Sequence, residues 1–321
     1  MPTYSSLSTR EHRRADGLPS TGSLKPAPWS LKVSKAYVFF FWASDKNRHE
    51  ILPHLVTEDD KKHFQGGLGS WMIIRYAESP VGPYDELLFS PGGFAPPNTL
   101  LKPDPNSTTA LDEESPLLTD PNSSYLSPRR ITRIFVSSDA SLQSGRENWG
   151  IRKELATFDW VTPDGDDASM TTTVRISDLL SKELILHATL SAVPYTPSFP
   201  FSLDTLGMLV PRIVERRIDV DGNPVGGSTS DSGSTTSNSE WLSTKLGGGG
   251  CSRLATIKVH HSGGERFPDL NTVGWFGLGV GMKDGCLTFS VPDVVTYSDE
   301  SGSAAGGSTN ADAAETIPAK L

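Results

Sequence analysis

Short runs of β-branched and aromatic residues, set apart by turn-formers, follow one another along this chain, and a helical period hardly ever takes over. Lys35-Ala-Tyr-Val-Phe-Phe-Phe-Trp42 is aromatic and continuous enough to be a strand buried on both faces. Trp71-Met-Ile-Ile-Arg-Tyr-Ala77 and Tyr84-Asp-Glu-Leu-Leu-Phe89 flank Pro80-Val-Gly-Pro83 and read as a hairpin. With further runs near 130–138, 158–160, 169–176, 183–190, 207–214, 253–260, 275–281 and 286–291, about ten strands are predicted. Residues 50–65 suggest a short helix, interrupted by Pro53. Many consecutive strands with few helices predict a mainly β protein, either an antiparallel barrel or a sandwich.

The polar and low-complexity stretches divide the chain. Residues 1–28 are polar, carry Pro19, Pro26 and Pro28 and show no period, and are expected to form a disordered arm. Residues 29–297 are expected to be one domain, interrupted by a loop over 91–128 and a flexible Gly/Ser insertion over 221–250. The Ser/Gly/Ala-rich residues 298–321 are expected to be a disordered tail.

A net charge of −9 argues against nucleic acid or an anionic membrane as partner, since both need a basic face. The first twenty residues lack the apolar core of a signal peptide, and the run Ala36–Ala43 is too short to span a bilayer. Two cysteines, Cys251 and Cys286, form neither a disulfide framework nor a zinc spacing, which fits a reduced, cytoplasmic location. His187, His260 and His261 do not converge in ligand spacing, and Gly-Leu-Gly-Val-Gly at 277–281 is not a dinucleotide fingerprint.

The segment with most chemical content is Arg130-Ile-Thr-Arg-Ile-Phe-Val-Ser-Ser138 followed by Ser144-Gly-Arg-Glu-Asn-Trp-Gly-Ile-Arg-Lys-Glu-Leu-Ala156. It reads as a strand, a polar turn, and two glycines where the backbone can bend. Lys153 follows the second glycine among Trp149, Leu155 and Ala156, a setting in which a lysine can be desolvated and become a nucleophile. Gly145-Arg-Glu, with Ile-Arg-Lys-Glu-Leu-Ala over 151–156, resembles the segment that carries the Schiff-base lysine of the acetoacetate decarboxylase superfamily. Arg75-Tyr-Ala-Glu-Ser-Pro-Val-Gly-Pro-Tyr-Asp-Glu-Leu87 resembles the strand bearing that family's active-site glutamate. The two matches and the strands between them cover roughly residues 70 to 160.

The resemblance implies a closed antiparallel β-barrel with a few short peripheral helices, and an imine mechanism that needs no cofactor. By position, Lys153 corresponds to the imine-forming lysine and Glu78 to the pocket glutamate, while Lys35 falls near an arginine that faces the substrate carboxylate. Arg75 and Arg146 are further candidates for lining the substrate pocket, although Arg146 with Glu147 would equally serve to tie the segment down. The chain departs from the family pattern at Glu154, where the decarboxylase has a second lysine. If residues 152–154 are extended, Arg152 and Glu154 share one face and Lys153 points to the other.

The expected function is decarboxylation of a β-keto acid larger than acetoacetate, of polyketide or fatty-acid type. The alternatives are an imine-forming aldolase or dehydratase on the same fold, or a non-catalytic barrel that binds a small apolar molecule. The expected partner is a small keto acid, with a homo-oligomer allowed; no cofactor, metal, nucleic acid or membrane is expected.

Overall fold

The aromatic run at 35–42 belongs to a fifteen-residue strand, β1 (Trp29–Ala43), the first wall of a barrel. The computed structural model describes residues 24–95, 128–162, 171–203, 213–219, 221–225, 237–274 and 276–299. The arm expected over 1–28, the loop over 91–128 and the tail over 298–321 therefore lie outside the description, apart from the few residues nearest the barrel.

After β1 come two short helices, α1 (Arg48–Ile51) and α2 (Glu58–His63). Thr57 caps α2 by accepting from the Asp60 N–H, while the Asp60 carboxylate accepts from the Thr57 N–H. Acids fill the first turn of α2 and Lys61, Lys62 and His63 its last, as the helix dipole favours. The chain then forms β2 (Phe64–Glu78), β3 (Tyr84–Ser90) and the two-residue β4 (Gly93–Phe94). β5 (Arg133–Val136), α3 (Asp139–Trp149) and β6 (Lys153–Val161) follow. Next are β7 (Thr172–Asp178), β8 (Leu184–Ala192), β9 (Phe199–Ser202), β10 (Ile213–Arg216), β11 (Ser237–Thr244) and β12 (Leu246–Ser262). The last elements are α4 (Leu270–Val273), β13 (Gly279–Phe289) and β14 (Asp293–Asp299).

Nine strands close on themselves in the order β1-β13-β12-β8-β7-β6-β5-β3-β2, with β2 paired back to β1. The expected hairpin is β2–β3. β10, β11 and β14 make a separate three-stranded sheet. Eight of the nine ring pairings are antiparallel, as expected for the barrel; β5 and β6 are parallel, because α3 carries the chain back across before β6 begins.

Alternation sends side chains to two different cores. The barrel interior is filled from all round the ring, by residues such as Tyr37, Phe39, Trp71, Phe89, Phe135 and Val174. Phe39 stacks on Trp71 at 4.5 Å and Phe41 on Phe89 at 5.4 Å. Gly279 makes room for this stack, since a Cβ there would sit 2.4 Å from the Phe39 ring. The opposite face of β1, β2, β3 and β5 carries a second cluster that includes Trp29, Leu31, Ile74, Tyr76, Tyr84 and Ile134. Trp149 of α3 closes over it, meeting Trp29 edge-on at 5.0 Å.

Two expectations are corrected by these elements. Residues 139–149 are an eleven-residue helix rather than a polar turn. Residues 237–250, read as part of a flexible insertion, form β11 and the start of β12. The glycines there serve close approach: a Cβ on Gly249 would lie 2.1 Å from the carbonyl oxygen of Phe201 on β9.

Candidate active site

Lys153 opens β6, directly after α3 has ended. Ser138 caps the helix by accepting from the Ser141 N–H at 3.3 Å. Gly150 ends it in the left-handed region at φ 67°, and its N–H donates to the Arg146 carbonyl at 3.0 Å. The chain thus turns sharply under its own helix. Ala156 faces the barrel core while Leu155 packs on the second cluster, so Lys153, in step with Leu155, projects between the sheet and α3.

Lys153 is only 4% exposed. Its Nζ donates to Glu86 Oε2 at 3.1 Å and to Ser141 Oγ at 3.0 Å, and lies 5.6 Å from the centre of the Tyr84 ring. Glu86 is 2% exposed and also accepts from the hydroxyls of Tyr76 at 3.3 Å and Tyr84 at 3.5 Å. Burial, reinforced by the Glu86 charge, pushes both phenols well above their ordinary pKa, so they remain donors. Gly145 of α3 presses on the lysine stem: a Cβ there would be 2.5 Å from Lys153 Cε. Nothing larger than glycine fits over this amine without moving it.

The structure brings together some of the residues predicted from sequence and separates others. Lys153 is at the centre. Arg146 reaches it from α3, with Nη2 donating to the Lys153 carbonyl at 3.0 Å, so this guanidinium braces the backbone that presents the amine. Burial lowers the Arg146 pKa from its ordinary value, and the nearby Glu154 opposes that. Glu78, expected beside the lysine, is not there. It ends β2 with its side chain 72% exposed, in a 3.0 Å ion pair with Lys32. The turn after β2 begins at that point, beyond the cover of α3, whereas Glu86 lies on the returning strand beneath it.

Arg75 lies on the other face of β2, half-exposed, with Nε 3.6 Å from Asp85 and its guanidinium 5.6 Å from the Trp160 ring centre. Lys35 is buried on β1, in step with the barrel-lining Tyr37. Glu154 turns away from Lys153, as alternation predicts, and pairs with Arg133 at 3.4 Å and with Arg266. Arg266 pairs in turn with Asp178. Its charge is therefore neutralised on the far side of the wall. Sequence reasoning missed Glu86 and Ser141. Glu86 stands within the matched hairpin segment, and its signal is a carboxylate directly before the apolar run Leu87-Leu88-Phe89 of β3.

A buried amine with a carboxylate and a hydroxyl in contact can exchange its proton with the carboxylate and attack an electrophilic carbon. No group of three or more His, Cys, Asp or Glu side chains that could hold a metal occurs among the described residues.

The architecture around this amine matches solved structures over nearly the whole chain. The acetoacetate decarboxylase of Legionella pneumophila aligns over 91% of this chain and 99% of its own, with 14% identity and a TM-score of 0.50. A second acetoacetate decarboxylase structure aligns over 87% of this chain and 93% of its own, with 10% identity and a TM-score of 0.51. This chain has the acetoacetate decarboxylase-like fold. No family model and no curated protein sequence matches it. The resemblance first visible in two sequence segments thus extends to the whole barrel, and the acetoacetate decarboxylases that share it are enzymes. Among the described residues, no helix is long and apolar enough to cross a membrane.

Proposed function

We propose that this chain is a cofactor-independent decarboxylase of a β-keto acid, acting through an imine on Lys153. The observation that carries the reading is the buried Lys153 amine held between Glu86 and Ser141, on a fold shared with acetoacetate decarboxylases. In this reading Glu86 takes up the proton that the amine must shed before attack. The nitrogen lone pair adds to the ketone carbon, and loss of water leaves a protonated imine. The bond to the carboxylate then breaks, CO2 departs, and the electron pair moves into the C=N system to give an enamine. Protonation at carbon and hydrolysis release the ketone and restore the lysine. Tyr76 and Tyr84 hold the Glu86 carboxylate in place, and the apolar surroundings favour loss of a charged carboxylate as neutral CO2. Arg146 acts as a positioning residue through the Lys153 backbone.

The test is CO2 release from a panel of β-keto acids of increasing chain length, with Lys153→Met and Glu86→Gln as comparisons. Turnover that disappears with Lys153→Met and falls sharply with Glu86→Gln supports the proposal. Carbon–carbon bond formation or dehydration without CO2 would move the chain to the aldolase type of reaction on the same imine. No Lys153-dependent chemistry with any keto acid would leave a binding protein.

A further inference from the structure

Lys153 does not line the cleft of about 290 Å³ that opens where α2, residues 130–132, the end of α3 and β10 meet. Its charged wall is Asp59, Asp60, Arg130, Arg152, Glu215 and Arg216; Val56, Ile131 and Trp241 provide an apolar side. Arg130 is buried and satisfies both aspartates, at 3.1 Å to Asp59 and 2.7 Å to Asp60. Its guanidinium is also stacked between Phe94 and Trp241, 4.9 Å and 4.4 Å from their ring centres. The Arg130 charge is therefore taken up by these two acids, and Asp59 also meets His63 Nδ1 at 3.1 Å.

Two cations remain. Among the described residues, no hydrogen bond or ion pair holds the guanidinium of Arg152 or of Arg216, and Arg216 Nε is buried without a partner. A buried donor without an acceptor has lost its water and gained nothing in return, so a partner there would be favoured. Glu215 does not supply it: its Oε1 accepts the Ile131 N–H at 2.5 Å.

We propose that this cleft is a second ligand site, in which Arg152 and Arg216 hold the oxyanion of a small carboxylate or phosphate monoester. Guanidinium groups match both anions in shape and charge. The volume lies at the low end for ligand pockets, so the molecule is small, and Trp241, Val56 and Ile131 take a short hydrocarbon body. Burial pushes the Glu215 carboxyl up to about 8, so near neutral pH it is protonated and adds no negative charge to a wall of three arginines and two aspartates.

Calorimetric titration of the full chain with malonate and with inorganic phosphate tests this. Binding is expected for both at pH 7, weakened roughly tenfold by Arg152→Gln and by Arg216→Gln, since each removes a charge-assisted contact. Arg152, unlike Arg216, has no buried unpartnered side-chain nitrogen, so that variant should fold even if Arg216→Gln does not. Lys153→Met is expected to leave the affinity unchanged, which separates this site from the proposed active site. Malonate should bind more weakly at pH 9, where Glu215 is ionised beside Asp60, Arg130 and Arg152, and Glu215→Gln should remove that dependence. The proposal is overturned by absence of binding with both anions, by affinities indifferent to both arginine variants, or by binding that vanishes with Lys153→Met.

Discussion

Gly145→Ala isolates the packing of α3 on the lysine from the stability of the helix itself. The added Cβ would lie 2.5 Å from Lys153 Cε, 2.7 Å from Cδ and 3.3 Å from Cγ. Ordinary carbon contacts are about 3.5–4.0 Å, so the lysine stem must shift by roughly 1 Å. The amine cannot follow freely, because Glu86 holds it from β3 and Ser141 from the same helix. In stability the effects oppose each other: alanine gains about 1 kcal/mol of helix propensity over glycine, and overpacking costs about 1–3 kcal/mol. The net loss should therefore stay below about 2 kcal/mol, readable by urea denaturation. Activity should fall much further, by about a hundredfold, because a displacement near 1 Å has that effect on a reacting group. The assay is the rate at which borohydride traps a keto acid on the protein. Trapping at the wild-type rate in a folded Gly145→Ala protein would refute the claim that α3 sets the position of this amine.

Glu86→Ala should cost about 3–5 kcal/mol by urea denaturation, because it strands a buried cation, and Lys153→Met with Glu86→Leu should recover most of that loss. Glu154→Gln should leave trapping unchanged, since that carboxylate faces Arg133 and Arg266 rather than the amine; a large drop in rate would contradict the assignment of faces. His54 is buried and lowered to about 4 from 6.5, by burial and then by Arg133, so the unfolded chain binds the extra proton first. Its contribution is present above pH 6.5 and is lost as pH falls towards 4, and His54→Gln should flatten the thermal stability profile over that interval. Glu215 has the opposite sign: raised from 4.5 to about 8, it favours the folded state below pH 4.5 and loses that advantage as pH rises to 8, a slope that Glu215→Gln should remove.

The barrel was legible because its strands are long, apolar and separated by strong turn signals, as with Lys35–Trp42 and the Pro80–Pro83 turn between β2 and β3. α3 was hidden because Asp139–Trp149 contains Ser141, Ser144, Gly145 and Asn148, weak helix formers whose place is fixed by the Ser138 cap, Gly150 and packing on the sheet. Glycines at 247–250 look like a linker by composition; only the close crossing of β9 and the β13 backbone explains them as strand. The burial of Lys153 was legible from its apolar neighbours in the segment. Its partner was not, because both Glu78 and Glu86 stand in the matched stretch, and choosing between them requires knowing that the hairpin returns Glu86 beneath α3 while Glu78 ends in solvent.

The most direct measurement is peptide mass spectrometry after borohydride reduction in the presence of a β-keto acid. One reduced adduct is expected, on Lys153, forming more slowly in Glu86→Gln. No adduct, or one on another lysine such as Lys35, would contradict it.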